Sequence, residues 1–290
     1  MAGRSVTQKV AIVTDSIACL TKEIVAQYGI RIVPLNFYSE GKVYKDWVDI
    51  TPAEAYELVL KDPESFKTSA ASPEDCLKAY REASRQTKNI LCITISAKLS
   101  AVYNVAQGAK EQARAELPQT SIAVLDSQTA TAAEGFIALA AARAAEGKGL
   151  AEVIKAAEEM RDRVSLLALM DTVRYVYRTG RIPKVAALAG SMLNIRPIFT
   201  ISSGVPHFIG VVRNKERGMD RLLKIMRGKV GLTPVHVAVM HAYALDEAEK
   251  LKERVSSEFN CAELWITEFS PVMGFACGTG TLGLAFYSEG

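Results

Sequence analysis

Short runs rich in apolar and β-branched residues recur along this chain and read as strands: Val10 to Val13, Asn89 to Ile95, Ser121 to Leu125, Ser165 to Met170, Val235 to Met240 and Ala262 to Phe269. The first of them is wholly apolar, as expected of a strand covered on both faces. Ile30 to Tyr38 reads as a further strand, ended by a turn at Ser39-Glu40-Gly41. Between the strands lie helical stretches with clear punctuation. One ends at Tyr28 against Gly29, and another opens with the capping box Thr51-Pro52-Ala53-Glu54. Ser72 caps the next, with Pro73 in its first position. Further helices are expected from the Ser96 region to Leu117, from about Ala132, over Leu150 to Val164, over Asn214 to Lys229 and over Leu245 to Phe259. Ile195 to Ile201 and His207 to Val212 flank Ser202-Ser203-Gly204 as a hairpin.

Strands that alternate with helices imply an α/β fold. We expect two domains: residues 1–164, a three-layer unit around a parallel sheet, and residues 165–290, a mixed-sheet α/β unit. No repeat, low-complexity tract or long linker separates them, so they should pack together and leave a cleft. Three strands end in hydroxyls that hand over to a helix start: Thr14 and Ser16, Ser96 and Ser100, and Ser127. Ligands of open parallel sheets bind at the carboxyl ends of the strands. Helix starts there offer unpaired N–H groups and partial positive charge, so the pattern suggests an anion site. A cation belongs with it. Tyr177 to Thr200 holds Arg181 on a turn at Gly180, followed by an apolar, Ala-rich stretch from Val185 to Leu193 that reads as a helix. An Arg beside an apolar helix suits an anionic head on an apolar ligand.

Composition narrows the function. The 290 residues are 49% hydrophobic, enough for a large packed core. With 35 Lys and Arg against 32 Asp and Glu, the net charge of +3 gives no case for nucleic acid. The basic cluster from Arg213 to Lys229 includes Glu216 and Asp220 and reads as a solvated helix face. Five cysteines with no C-x-x-C pair suggest reduced thiols in a cytoplasmic protein. No signal peptide is expected, and no run approaches the ~20 apolar residues of a membrane span.

Catalytic motifs are scarce. Gly278 to Gly283 spells G-x-G-x-x-G, but the residues after Gly283 read as a strand and not the helix a dinucleotide site requires. His207, His236 and His241 lack metal-ligand spacing, so no metal is expected. His241, at a strand end, could act as a general base, with loop duty the commoner role. Asp15 and Asp126 could bind a cation, but turn hydrogen bonding is the commoner use of an Asp at a strand end.

The chain resembles the DegV family over essentially its whole length. The matching stretches are Val10 to Ser16, Thr68 to Pro73, Ile95 to Ala106, Val124 to Ser127, Thr179 to Ile198 and Pro271 to Phe286. That resemblance implies a non-catalytic protein with no cofactor, holding a long-chain fatty acid in a tunnel between its two domains. It also implies presentation of the acyl carboxylate to a separate fatty acid kinase. The family's carboxylate ligands correspond to Thr68 and Ser100, with Arg181 at the same end. Three departures stand out. The family's S-G-T is Ser100-Ala101-Val102, its G-G-R is Thr179-Gly180-Arg181, and its H-x-G-P-G is Ala276-Cys277-Gly278-Thr279-Gly280, without the His. Lipid binding is therefore better supported than hand-off to a kinase. The competing expectation is an enzyme, a small-molecule phosphotransferase or hydrolase using the same cleft with Asp15 or Asp126 near Arg181.

Overall fold

The computed structural model describes residues 9–172, 175, 179–181 and 195–289. The expected helix from Val185 to Leu193 lies outside them. Strands β1 (Ala11–Asp15), β2 (Arg31–Val33), β6 (Asn89–Thr94) and β7 (Ser121–Asp126) make an all-parallel sheet in the order β2-β1-β6-β7. The stretch expected as one strand from Ile30 to Tyr38 is two. Pro34, which has no N–H for a ladder, follows β2. The chain then leaves the sheet and forms β3 (Asn36–Ser39), which pairs with β4 (Lys42–Lys45) and β5 (Lys67–Ser69) in a small antiparallel sheet.

The second large sheet contains β8 (Ser165–Leu169), β9 (Arg196–Ser202), β10 (Val205–Val212), β11 (Val235–His241), β12 (Cys261–Glu268) and β13 (Leu282–Ser288). Its order is β10-β9-β8-β13-β11-β12, with β11 and β12 parallel and all other neighbours antiparallel. The fold is therefore the expected two-domain α/β arrangement of a parallel and a mixed sheet.

Helices separate and cover the sheets. On one face of the parallel sheet lie α3 (Pro73–Ser84) and α4 (Val102–Glu116), joined to it through Tyr80, Cys92, Ala106 and Ala109. On the other lie α1 (Lys22–Tyr28), α5 (Thr131–Ala145) and α6 (Leu150–Arg163). The far face of the mixed sheet is covered by α7 (Lys215–Val230) and α8 (Leu245–Glu258), through Leu222, Met226 and Leu251. The basic residues of α7 occupy the face opposite its buried Met219, Leu222 and Leu223, as expected of a solvated helix face.

Helix α5 holds the two sheets together. Its sequence, TAAEGFIALAAARAA, has no polar stripe, and twelve of its fifteen residues are buried. One core cluster runs from Ile12 and Leu91 through Phe136 and Ile137 to Ala238, Ala285 and Tyr287. A helix that is apolar all round has to be enclosed on every side, and here a sheet flanks it on each side. Gly135 lets α5 pack closely on the turn after β1, because a Cβ there would sit 2.4 Å from the Ala18 carbonyl oxygen.

Local capping rules hold at several starts. Helix α2 (Pro52–Lys61) carries the full capping box of Thr51 and Glu54. Ser72 accepts from the Asp75 N–H at the start of α3, and Asn214 accepts from the Arg217 N–H at α7. A final short helix, α9 (Pro271–Cys277), leads into the glycine-rich segment from Gly278 to Gly283.

Candidate functional site

The connections after β1, β6 and β7 do not use their hydroxyls as the sequence suggests. Ser16 Oγ accepts from the Leu35 N–H, and Thr14 Oγ1 donates to Glu134 Oε1 at 3.0 Å. Ser96 Oγ accepts from the Lys98 N–H and donates to the Gly204 carbonyl. Ser127 Oγ forms a turn with Thr129. The N-caps of α4 and α5 are instead Ala101 and Ala130, neither of which has a side chain able to cap. The connections are longer than a direct handover, and the hydroxyls of Thr14, Ser16, Ser96 and Ser127 are engaged elsewhere than at the helix starts. The helix starts are left without side-chain acceptors.

Both uncapped starts face one cavity of about 250 Å³. Ala101 with Ser100 lies on one part of its wall, and Ala130 with Thr131 on another. Thr131 holds φ at +60°, a backbone state unusual for a β-branched residue. Leu166 and Ala168 of β8 and Phe199 and Ile201 of β9 supply the wall from the mixed sheet. Thr68 of β5, with Val272 and Met273 of α9, closes the remaining side. The cavity thus lies between the two large sheets, at the carboxyl ends of the parallel strands.

Thr68, Ser100, Arg181 and Ala276, which come from four separated segments, all line this cavity. Thr68 and Ser100 are half-buried. Among the described residues, neither of their hydroxyls has a hydrogen-bond partner. Arg181 is exposed, and its Nη1 donates to the Thr179 carbonyl at 2.7 Å. Gly180 before it takes φ of +66°, the left-handed turn expected from the sequence. Most of the other lining residues are apolar, including Ile17, Leu35, Met170 and Phe269. Cys277 also lines the wall, and burial pushes its thiol up to about 12, so it stays protonated.

The residues weighed for catalysis have structural partners. Asp15 Oδ1 accepts from the Ile17 N–H and Oδ2 from the Ile95 N–H, while burial raises its carboxyl to about 6. Asp126 Oδ1 accepts from the N–H groups of Ala97 and Gln128. His241 Nδ1 accepts from the Ala244 N–H, and burial lowers its pKa, so the ring is neutral and fixed in a turn. No three His, Cys, Asp or Glu residues are placed to hold a metal among the described residues. All five cysteines are free thiols.

Sequence reasoning missed Thr131 as a lining residue, because its approach to the cavity depends on the turn at Asp126 and Ser127. It also missed the roles of Leu166, Ala168 and Phe199, which look like ordinary strand residues.

A largely apolar chamber between a parallel and a mixed sheet, with hydroxyls and one Arg on its wall, defines a two-domain α/β protein built around an internal site. The chain belongs to the DegV family, described as a family of uncharacterised proteins, which matches it over residues 9–289. A DegV domain-containing protein of Clostridium perfringens is 32% identical over 97% of this chain and 99% of its own length. The structure of a fatty-acid-binding DegV family protein from Thermus thermophilus superimposes with a TM-score of 0.88. It shares 29% identity over 97% of this chain and 100% of that one. A stearic-acid-binding protein from Eubacterium ventriosum gives a TM-score of 0.87 at 25% identity, covering 96% and 98% of the two chains.

Proposed function

We propose that the protein binds a long-chain fatty acid in the chamber between its sheets, with the carboxylate held by Thr68, Ser100 and Arg181. The observation that carries this reading is the convergence of those three side chains on one apolar cavity. The fatty-acid-binding proteins of the same fold from Thermus thermophilus and Eubacterium ventriosum support it. Burying a lone carboxylate is very costly unless it is paired. Two hydroxyl donors and a guanidinium provide hydrogen bonds and a counter-charge. The tail supplies the driving force at roughly 0.8 kcal/mol per buried CH₂, on the order of 10 kcal/mol for a long chain before ordering costs.

In this reading the chain is a carrier, without catalytic groups or cofactor of its own, working in the cytoplasm. Its exposed Arg181 marks the end at which a separate fatty acid kinase would meet the carboxylate. Turnover by the chain itself is less favoured, because Asp15 and Asp126 are occupied by backbone N–H groups. Native mass spectrometry of protein purified from a bacterial host, before and after lipid extraction, tests the central claim. A removable adduct with the mass of a long-chain monocarboxylic acid, and rebinding at micromolar concentrations, is the expected result. An empty chamber that takes up no fatty acid after delipidation would refute it.

A further inference from the structure

The turn between β9 and β10 reaches from the mixed sheet onto the connection that follows β6. Ser203 and Gly204 both hold positive φ, +49° and +80°, the pairing of a tight two-residue hairpin. Gly204 is buried, and a Cβ on it would lie 2.6 Å from Ser96 Oγ, so the turn seats on Ser96 because that atom is absent. Ser96 is itself fully buried. Its Oγ donates to the Gly204 carbonyl at 2.8 Å and accepts from the Lys98 N–H at 3.2 Å. Its carbonyl accepts from the N–H groups of Leu99 and Ser100, at 2.9 and 3.1 Å, and its own N–H donates to the Thr129 carbonyl at 2.9 Å. Lys98 Nζ adds a bond to the Ser203 carbonyl at 3.0 Å.

Ser96 is therefore bonded to the hairpin tip on one side and to the backbone of Lys98, Leu99 and Ser100 on the other. Leu99 and Ser100 line the chamber, and so do Ile201 and Pro206 on the two strands of the hairpin. Ser96 itself does not line it. The Ser100 hydroxyl has no partner among the described residues, so its placement depends on the backbone that carries it. A donor meant for a carboxylate is worth most when it is fixed beforehand, because ordering it on binding costs part of the bond. We propose that Ser96 is a positioning residue for the fatty-acid head group. It clamps the turn that carries Ser100 against the β9–β10 hairpin, so recognition of the carboxylate depends on a contact made by the mixed sheet. This rests on the fatty-acid reading above and adds a residue that acts on the head group without touching it.

The test uses the delipidated full chain and isothermal titration with dodecanoic acid and dodecanol. Ser96→Ala should weaken the acid roughly threefold to tenfold, the worth of one hydrogen bond, and the alcohol less than about twofold. In a Ser100→Ala background the same substitution should change acid affinity by less than about twofold, because the group it positions is gone. Lys98→Met, at an exposed position, removes the second bond to the hairpin. It should weaken the acid about twofold and leave it unchanged in the Ser100→Ala background. No loss for Ser96→Ala, equal losses for acid and alcohol, or a loss as large in the Ser100→Ala background would each overturn the inference, since Ser96 would then at most shape the chamber. A wild-type chain that takes up no dodecanoic acid would instead refute the fatty-acid reading, and this inference with it. If Ser96→Ala does not fold, Lys98→Met decides between the same outcomes.

Discussion

Thr68 and Ser100 come from different parts of the chain, yet both hydroxyls lack a hydrogen-bond partner among the described residues on the wall of one apolar chamber. If they bond a carboxylate, Thr68→Val and Ser100→Ala should each weaken fatty-acid binding by ~1.5–3 kcal/mol, the range for hydrogen bonds to charged groups. The matching fatty alcohol should lose less, and equal losses would mean that the hydroxyls do not read the charge. Arg181→Ala should weaken the acid strongly and the alcohol little. Ala276 lines the same chamber, so Ala276→His should add a donor there. A free imidazole titrates near pH ~6.5, so the gain in acid affinity should be greatest below that value and fade towards pH 8.5. Asp46, buried beside Ser270, carries a separate pH signature. Burial raises Asp46 from 3.8 to about 7, so the folded protein retains a proton that the unfolded chain releases. That contribution to stability is complete below pH 3.8 and is lost as pH rises through about 7. Urea midpoints of Asp46→Asn should therefore fall less between pH 5 and 8.5 than those of the wild type. Thr68, Ser100 and Arg181 are legible in the sequence because each sits in a motif. The raised pKa of Asp46 is not, since the burial that causes it is completed by Ser270, from a distant part of the chain.

At the scale of elements, what the sequence reveals divides along the range of the forces involved. The starts of α2, α3 and α7 depend on a side chain and a backbone N–H within three residues, and their positions are readable. Strand β5 is three residues long and exists because Lys67, Thr68 and Ser69 pair with Tyr38, Phe37 and Asn36. No local pattern marks such a strand. Helix α9 is hidden for a similar reason. Its stretch, PVMGFAC, contains a glycine that argues against a helix, yet the helix packs on α2 and depends on that glycine. A Cβ at Gly274 would lie 2.0 Å from Tyr56 Oη, and Tyr56 is fully buried with its hydroxyl donating to the Phe269 carbonyl. Propensity alone would make Gly274→Ala stabilising by about 1 kcal/mol. The contact should reverse that sign, and we expect a net loss of ~1–3 kcal/mol, as for other overpacked cores. Denaturant melts of the variant check this, and a gain in stability would show that Tyr56 moves aside freely. Thr51→Ala, which removes the capping box of α2, should cost about 1 kcal/mol by the same measurement.

At the scale of the whole molecule, we propose that the two domains divide between Val164 and Ser165, where the chain passes from α6 into the mixed sheet. The cores do not divide there, because Phe136 packs edge-on against both Trp265 and Tyr287. Arg143 of α5 also pairs with Glu263 of β12. The intact chain should accordingly melt in one cooperative transition. Fragments 1–164 and 165–290 should each unfold at lower urea than the whole, and mixing them should recover part of the loss. Fragments as stable as the intact protein would show that α5 is not a shared layer. The enclosure of α5 also has a consequence in time. On the ribosome, Thr131–Ala145 emerges well before β11 and β13, the strands that cover its second flank. At ~5–20 residues per second the delay is on the order of 10 s. For that interval the nascent chain displays an Ala-rich surface carrying Phe136 with no permanent owner, open to capture by another apolar face.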